Sequence, residues 1–123
     1  MIKAWVDGGC EGNNSKTGPR FSYGSYVVEQ EGKMPTVQTF ELPGASTNNQ
    51  AEYLALIKLL EDENLQDATV YMDSQIVVGH LTQHWKVCRS LRQFKQRAAA
   101  IVRKHNITIS KVDRKVMVSL LGH

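Results

Sequence analysis

Cysteine is scarce in this chain: Cys10 and Cys88 are the only two among 123 residues. Two thiols without metal-ligand spacing exclude a disulfide framework, and free thiols in a reducing compartment are expected. Also missing is an apolar run long enough to span a bilayer, or an early segment that joins a basic start, an apolar stretch and a small-residue cleavage site. A soluble, intracellular, cytoplasmic protein without membrane contact is therefore expected. There is no repeat, low-complexity tract or linker. At 123 residues and 41% hydrophobic content, the chain can bury one sizeable core but is too short for two ordinary domains, so residues 1–123 read as one domain.

The most informative shortage is of acid in the second part of the chain. Met1 to Asp73 holds 11 acidic and 5 basic residues, whereas Ser74 to His123 holds 1 acid, Asp113, and 10 bases. The net charge of +3 conceals this asymmetry. It suits a surface for an anionic partner, nucleic acid first, and equally a solvated helix face with no partner.

The pattern changes along the chain in a readable order. Ile2, Ala4 and Val6 alternate with Lys3, Trp5 and Asp7, which predicts a strand ending at Asp7. Gly8 to Pro19 is rich in turn formers and reads as an exposed loop. Strand-like segments follow at Phe21 to Glu29 and Thr36 to Leu42, separated by Glu31-Gly32-Lys33, so the first three strands form an antiparallel meander. Leu56, Leu59 and Leu60 then recur at helical spacing behind Thr47 and Gln50, a capping-box pair, which predicts a helix from Asn48 to Asp62. Ala68 to Met72 reads as a strand and Ser74 to Leu81 as a short helix. A longer helix carries Leu91, Phe94, Ala98, Ile101 and Val102, Ile107 to Val112 is extended, and Val116 to His123 suits one or two helical turns. This half is a parallel crossover.

Three carboxylates stand where a charge is awkward unless used. Asp7 and Asp73 each end a strand, and strand carboxyl ends are where open sheets place ligands. Glu52 extends the stripe of Leu56, Leu59 and Leu60 and so faces the sheet. A buried carboxylate without a partner costs several kcal/mol, roughly, and usually has a cation or metal beside it. Clustered carboxylate oxygens favour hard ions, Mg2+ or Mn2+. Two such ions about 4 Å apart can activate water on one side of a phosphodiester and stabilise the leaving oxygen on the other. Singly, each acid can equally be a cap, a turn residue or a surface charge. His80 and His84 have the i, i+4 spacing of metal ligands but lack a third ligand, and are read as ordinary helix or loop residues.

The motifs around these acids resemble type 1 ribonuclease H, in its compact archaeal-like and bacterial branch without a basic protrusion. Asp7-Gly8-Gly9-Cys10-Glu11-Gly12-Asn13, Thr47-Asn48-Asn49-Gln50-Ala51-Glu52 and Met72-Asp73-Ser74-Gln75 match its first three motifs in order and spacing. The resemblance implies an α/β ribonuclease H-like fold: a mixed five-stranded sheet, three antiparallel strands then parallel crossovers, flanked by helices. It implies an endonuclease that hydrolyses the RNA strand of RNA–DNA hybrids with Mg2+ or Mn2+, two ions with substrate bound, leaving 5′-phosphate and 3′-hydroxyl ends. Asp7, Glu52 and Asp73 are the implied catalytic metal ligands. Gly8, Gly9, Cys10, Asn13, Thr47, Asn48, Asn49, Gln50, Ser74 and Gln75 are implied to touch the hybrid. Trp85, Lys86 and the bases Arg89, Arg92 and Lys95 either hold phosphates of the partner strand or form a packed Trp beside solvated charges. RNA is distinguished by its 2′-hydroxyls.

The carboxyl end departs from the family pattern. Val112-Asp113-Arg114 resembles a family turn, but the fourth metal-binding aspartate expected after it is missing. Laid on that motif, Ser119 to His123 puts His123 in its place, and His123, with Asp113 or the chain-end carboxylate, is the hypothesised fourth catalytic and metal group. Two further readings stay open: a catalytically weak or inactive hybrid-binding module, and a nuclease of the same fold acting on double-stranded RNA or DNA junctions. A monomer without an obligate protein partner is expected.

Overall fold

The alternating segment at the start does form a strand, β1, but it runs over Ile2–Glu11. Gly8, Gly9 and Cys10 are therefore strand residues, which corrects the loop expected from composition. The cause is the partner strand: β2, Phe21–Glu29, pairs with β1 without a break from Lys3↔Glu29 to Glu11↔Phe21. That ladder outweighs the low strand propensity of glycine. The computed structural model describes residues 1–11 and 21–122. Asn13 and His123, both expected at the site, lie outside the described residues.

β3, Gln38–Glu41, is shorter than the segment expected, because only these residues find partners on β2, from Tyr26 to Tyr23. Helix α1, Asn48–Asp62, has the bounds its periodicity implies. Thr47 Oγ1 accepts the Gln50 N–H at 3.2 Å, and Gln50 Oε1 accepts the backbone N–H of Ser46 at 2.9 Å and its hydroxyl at 2.8 Å. This is a capping box whose return bond has moved one residue outward. Next come β4, Ala68–Met72, and α2, Gln75–Thr82. A 3₁₀ turn, Arg89–Leu91, leads into α3, Arg92–Lys104, followed by β5, Thr108–Lys111, and α4, Arg114–Leu121.

The sheet order is β3-β2-β1-β4-β5, with β4 parallel to β1 and β5 parallel to β4. Trp5 lies opposite Val27 and Val6 opposite Tyr26, so alternate residues of the central pair face opposite sides. Ala4, Val6 and Tyr26 pack under α1, α2 and α3 with Leu56, Leu59, Val77 and Ala98. Trp5 and Val27 take α4 on the other side through Met117 and Leu121. Helix α4 starts two residues earlier than its apolar pattern suggests, with Asp113 at the N-cap. Arg114 thereby opens a helix instead of belonging to a turn. Among the described residues, no helix is long and apolar enough to cross a membrane.

Candidate active site

The parallel register of β1 and β4 ends with Trp5 beside Tyr71. Two residues further along each strand direction stand Asp7 and Asp73, so the pairing itself brings the two aspartates together. Gly8 supplies the third side of the site. A Cβ built there would enter the backbone of α1 at the Ala51 carbonyl, with Glu52 N at 2.9 Å. Only a residue without a side chain lets α1 come that close to β1, and the next residue of the helix is Glu52.

One carboxylate oxygen from each of Asp7, Glu52 and Asp73 lies within 4.8 Å of the others. Asp7 is 5% exposed, and its Oδ1 accepts the Gly8 N–H at 3.0 Å. The Asp73 side chain is 8% exposed and meets Arg114, whose Nη1 is 3.5 Å from Oδ2. Glu52 Oε2 is buried and has no hydrogen-bond partner. Burial pushes the Glu52 carboxyl from its ordinary range up to about 8; a hydrogen bond from Ser74 works against this, Asp7 and Asp73 raise it further, and Arg114 lowers it. An orphaned buried oxygen beside two more carboxylates is a donor set that fits a hard divalent cation. Asp113, at the α4 N-cap and exposed, is not in this cluster.

A cleft of about 230 Å³ opens over these groups, lined by Asp7, Gly8, Gly9, Cys10, Tyr23, Asn48, Glu52 and Arg114. Asn48 Oδ1 accepts the Cys10 N–H at 2.7 Å, tying the start of α1 to β1. The other expected contact residues divide by what already occupies them. Thr47 and Gln50 are engaged in the α1 cap. Ser74 caps α2 by accepting the Val77 N–H at 3.2 Å while it hydrogen-bonds Glu52. Asn49 is half-buried, and Gln75 and Lys86 are exposed. Trp85 lies against Gly79, where an added Cβ would collide with its ring, and donates from Nε1 to Gln83 at 3.2 Å. Only residues 83–88 separate α2 from the 3₁₀ turn, which leaves no room for an inserted protrusion.

Arg114 is the site residue that sequence reasoning left out. Its signal was present: Asp113 is a good N-cap, and a helix started there carries Arg114 in its first turn. The histidines behave as ordinary residues. His80 Nδ1 is 2.6 Å from the Tyr53 hydroxyl, its ring also bonds the Lys86 backbone, and His84 lies beyond the end of α2.

Gly8→Ala tests the close approach. The added methyl forces α1 away from β1 and carries Glu52 with it. Mn2+ affinity should fall by about tenfold or more. Calorimetric titration of both proteins measures this, and equal affinities would remove Gly8 from the construction of the site.

A sheet of this order with acids within β1, just past the end of β4 and on the facing helix defines a ribonuclease H-like fold. The RNase H family model matches residues 2–118, and the chain belongs to that family. It is 36% identical over 85 residues to "Bifunctional protein Rv2228c" of Mycobacterium tuberculosis, covering 67% of this chain and 22% of that protein. The chain thus spans about a fifth of the length of that curated relative. Among solved structures, the N-terminal RNase H domain of Rv2228c gives a TM-score of 0.78 at 27% identity, covering 98% of this chain and 92% of that one. RNase H1 from the archaeon Halobacterium salinarum gives 0.73 at 26%, covering 94% and 87%. LC11-RNase H1, in complex with RNA/DNA hybrid, gives 0.77 at 23%, covering 98% and 91%, a likeness of fold alone. The RNase H1 structures place the chain with type 1 ribonucleases H.

Proposed function

We propose that residues 1–123 form a single ribonuclease H domain that hydrolyses the RNA strand of RNA–DNA hybrids. The observation that carries this reading is the convergence of the Asp7, Glu52 and Asp73 carboxylates, with the buried Oε2 of Glu52 left unpartnered. These three carboxylates are the groups to hold Mg2+ or Mn2+. Bound divalent ions supply charge neutralisation at the phosphate and a water of lowered pKa. The chain's own residues do the rest. Asp7, fixed within the β1 ladder, Asp73, just past the end of β4, and Glu52, fixed by the α1 packing, keep the oxygens in place before substrate arrives.

Arg114 is 72% exposed along its side chain and has a guanidinium that can reach a phosphate oxygen entering the cleft. Asn48 uses its carbonyl oxygen on Cys10 and keeps its amide donors for the substrate. Donors and acceptors in this cleft, with Gly9, Cys10, Thr47 and Asn49 around it, suit the 2′-hydroxyls of an RNA strand. In this reading Gln50, Ser74 and Gln75 also contact the hybrid, and Trp85 and Lys86 contact its partner strand. The hybrid complex of LC11-RNase H1, a protein of the same fold, supports this choice of duplex. Cleavage yields a 5′-phosphate and a 3′-hydroxyl. Asn13 and His123 are retained as a contact residue and as a fourth metal and catalytic group.

The test is a side-by-side assay of labelled hybrid, DNA duplex and RNA duplex with Mg2+ or Mn2+. The RNA of the hybrid should be cut at least about 100-fold faster than either duplex, and EDTA should stop the reaction. Retention of the hybrid without cleavage under either ion would leave a binding module and end the nuclease reading.

A further inference from the structure

A second hollow, of about 550 Å³ against about 230 Å³ for the carboxylate cleft, opens on the α4 side of the sheet. Phe21, Tyr23, Ser25, Thr39 and Glu41 line it, with Gly122 just past the end of α4. The strand register sets its place. Asp7 lies opposite Ser25 and Ser25 opposite Thr39; two residues along, Gly9 lies opposite Tyr23 and Tyr23 opposite Glu41. Side chains alternate along a strand, so these residues share the face that carries Trp5 and Val27 against α4. With about 4.8 Å between neighbouring strands, the groove begins one strand from Asp7 and reaches two strands away, about 10 Å. Tyr23 lines both the groove and the cleft, so the two are continuous.

The lining narrows what can occupy it. The Phe21 and Tyr23 rings stack with centroids 6.1 Å apart and 23° between their planes, and Phe21 stays 46% exposed. Aromatic faces beside a nucleic-acid cleft are platforms on which flat bases stack. The charge of the groove is negative. Glu41 is exposed and pairs with no described cation, and no described lysine or arginine lines the groove. A phosphate is repelled there, whereas an uncharged base is not. The Ser25 and Thr39 hydroxyls are 3.3 Å apart and bonded to each other, which leaves the Glu41 carboxylate as the acceptor for an incoming group. An ionised carboxylate only accepts, and with two oxygens it favours a base with two adjacent donors. Guanine has them in N1–H and its N2 amine.

We propose that this groove takes an unpaired base, guanine by preference, from the RNA strand that lies in the cleft, stacked on Phe21 and read by Glu41. A paired base is held inside its duplex, so the occupant is a single-stranded nucleotide where the hybrid ends. At about 3.4 Å per stacked nucleotide, the far side of the groove is two or three nucleotides from Asp7. The inference rests on the reading above for the presence of nucleic acid in the cleft. It adds a preference for the ends of hybrids that the three carboxylates do not supply.

Short hybrids are compared in EDTA, where nothing is cut. They are blunt or carry an RNA overhang of about three nucleotides at the 5′ or the 3′ end, made of guanine, adenine, cytosine or uracil. Anisotropy measures the affinity of the parent, Phe21→Leu and Glu41→Gln. A guanine overhang at one of the two ends should tighten binding to the parent about tenfold over the blunt hybrid. Phe21→Leu keeps an apolar side chain but no ring, and should lose this gain; in Glu41→Gln guanine should fall to the level of the other bases. The blunt hybrid should bind all three proteins alike, with one slope of log K against log salt, because no phosphate contact is removed. No gain at either end, or a gain that survives Phe21→Leu, overturns the proposal. Equal gains from all four bases in the parent overturn the role of Glu41, and equal loss on the blunt hybrid means that the variants disturb the cleft and not a base site.

An overhang with 2-aminopurine needs no variant: stacking should quench its fluorescence on the parent, and undiminished fluorescence at both ends overturns the site. Guanosine is the competing probe, and if it alone fills the groove as tightly as the overhang does, the site belongs to a free nucleoside. The same overhangs on DNA and RNA duplexes separate this inference from the hybrid reading. Quenching on one of those duplexes, with no cleavage of hybrid in Mg2+ or Mn2+, keeps the groove and ends the hybrid nuclease. Cleavage of hybrid without quenching does the reverse.

Discussion

Asp73→Asn is expected to lower hybrid cleavage by about 10³-fold or more while leaving the protein folded and able to hold the hybrid. The substitution keeps the size of a side chain that is only 8% exposed and removes its charge. In the metal-free protein this loss is easily tolerated. Arg114 loses its partner, but its side chain is 72% exposed and returns to water. Asp73 also raises the Glu52 carboxyl, so its neutralisation relieves a repulsion. With ion present the balance reverses, because a hard cation held by three carboxylates loses one full charge and keeps at best a weaker, neutral amide oxygen in its place. Cleavage should fall steeply while binding, carried largely by phosphate contacts outside the cluster, changes little. Single-turnover cleavage and anisotropy on the same preparation measure both. Unchanged cleavage would exclude Asp73 from the metal set, and parallel loss of binding would mean that the aspartate orders the surface and not the reaction.

Much of this site was legible in the sequence, and the reasons differ by residue. The bounds of α1 follow from Thr47, Gln50 and the leucine stripe, because capping and periodicity are local. Glu52 on that stripe announced its own burial. Asp73 could be placed just past the end of its strand, whereas Asp7, expected to end the first strand, lies within β1, which continues to Glu11; the meeting of the two depends on the parallel register of β1 and β4, which is a tertiary fact. Gly8 and Gly9 were misleading, since glycine marks both a turn and a close approach. At Gly8 the neighbour is the backbone of α1, and at Gly9 it is the Tyr23 ring, with its hydroxyl 2.9 Å from a Cβ built there. Neither neighbour is near in sequence. Arg114 escaped because the apolar pattern of α4 begins at Val116, and the polar first turn of a helix carries no periodic signal.

Glu52 supplies the test that separates metal binding from the duplex altogether. Its carboxyl in the folded, metal-free protein titrates at about 8, against 4.5 as the ordinary value, with burial the chief cause. The folded value is the higher one, so the unfolded chain releases this proton first. The contribution to stability is therefore complete below about pH 4.5, falls between there and pH 8, and is gone above it. Across that window the loss amounts to at most about 5 kcal/mol, from roughly 1.4 kcal/mol for each pH step.

Glu52→Gln has no charge to desolvate and should remove this slope. In EDTA it should be more stable than the parent at pH 8.5 by a few kcal/mol, on the order of 2–5, and close to it at pH 4.5. Divalent ion acts in the opposite sense on the parent, because it binds the ionised carboxylate and competes with the proton. Parent affinity for Mn2+ should rise from pH 5.5 to 8, and millimolar ion should restore the stability lost at pH 8.5. The variant should gain little from ion at either pH. Urea unfolding of both proteins in EDTA and in Mn2+ reads the whole set. If the two proteins lose stability together between pH 5 and 8, the buried charge is not at Glu52. If the variant gains as much as the parent from Mn2+, the cation does not sit on that carboxylate, and the pocket formed by Asp7, Glu52 and Asp73 loses its reason for existing.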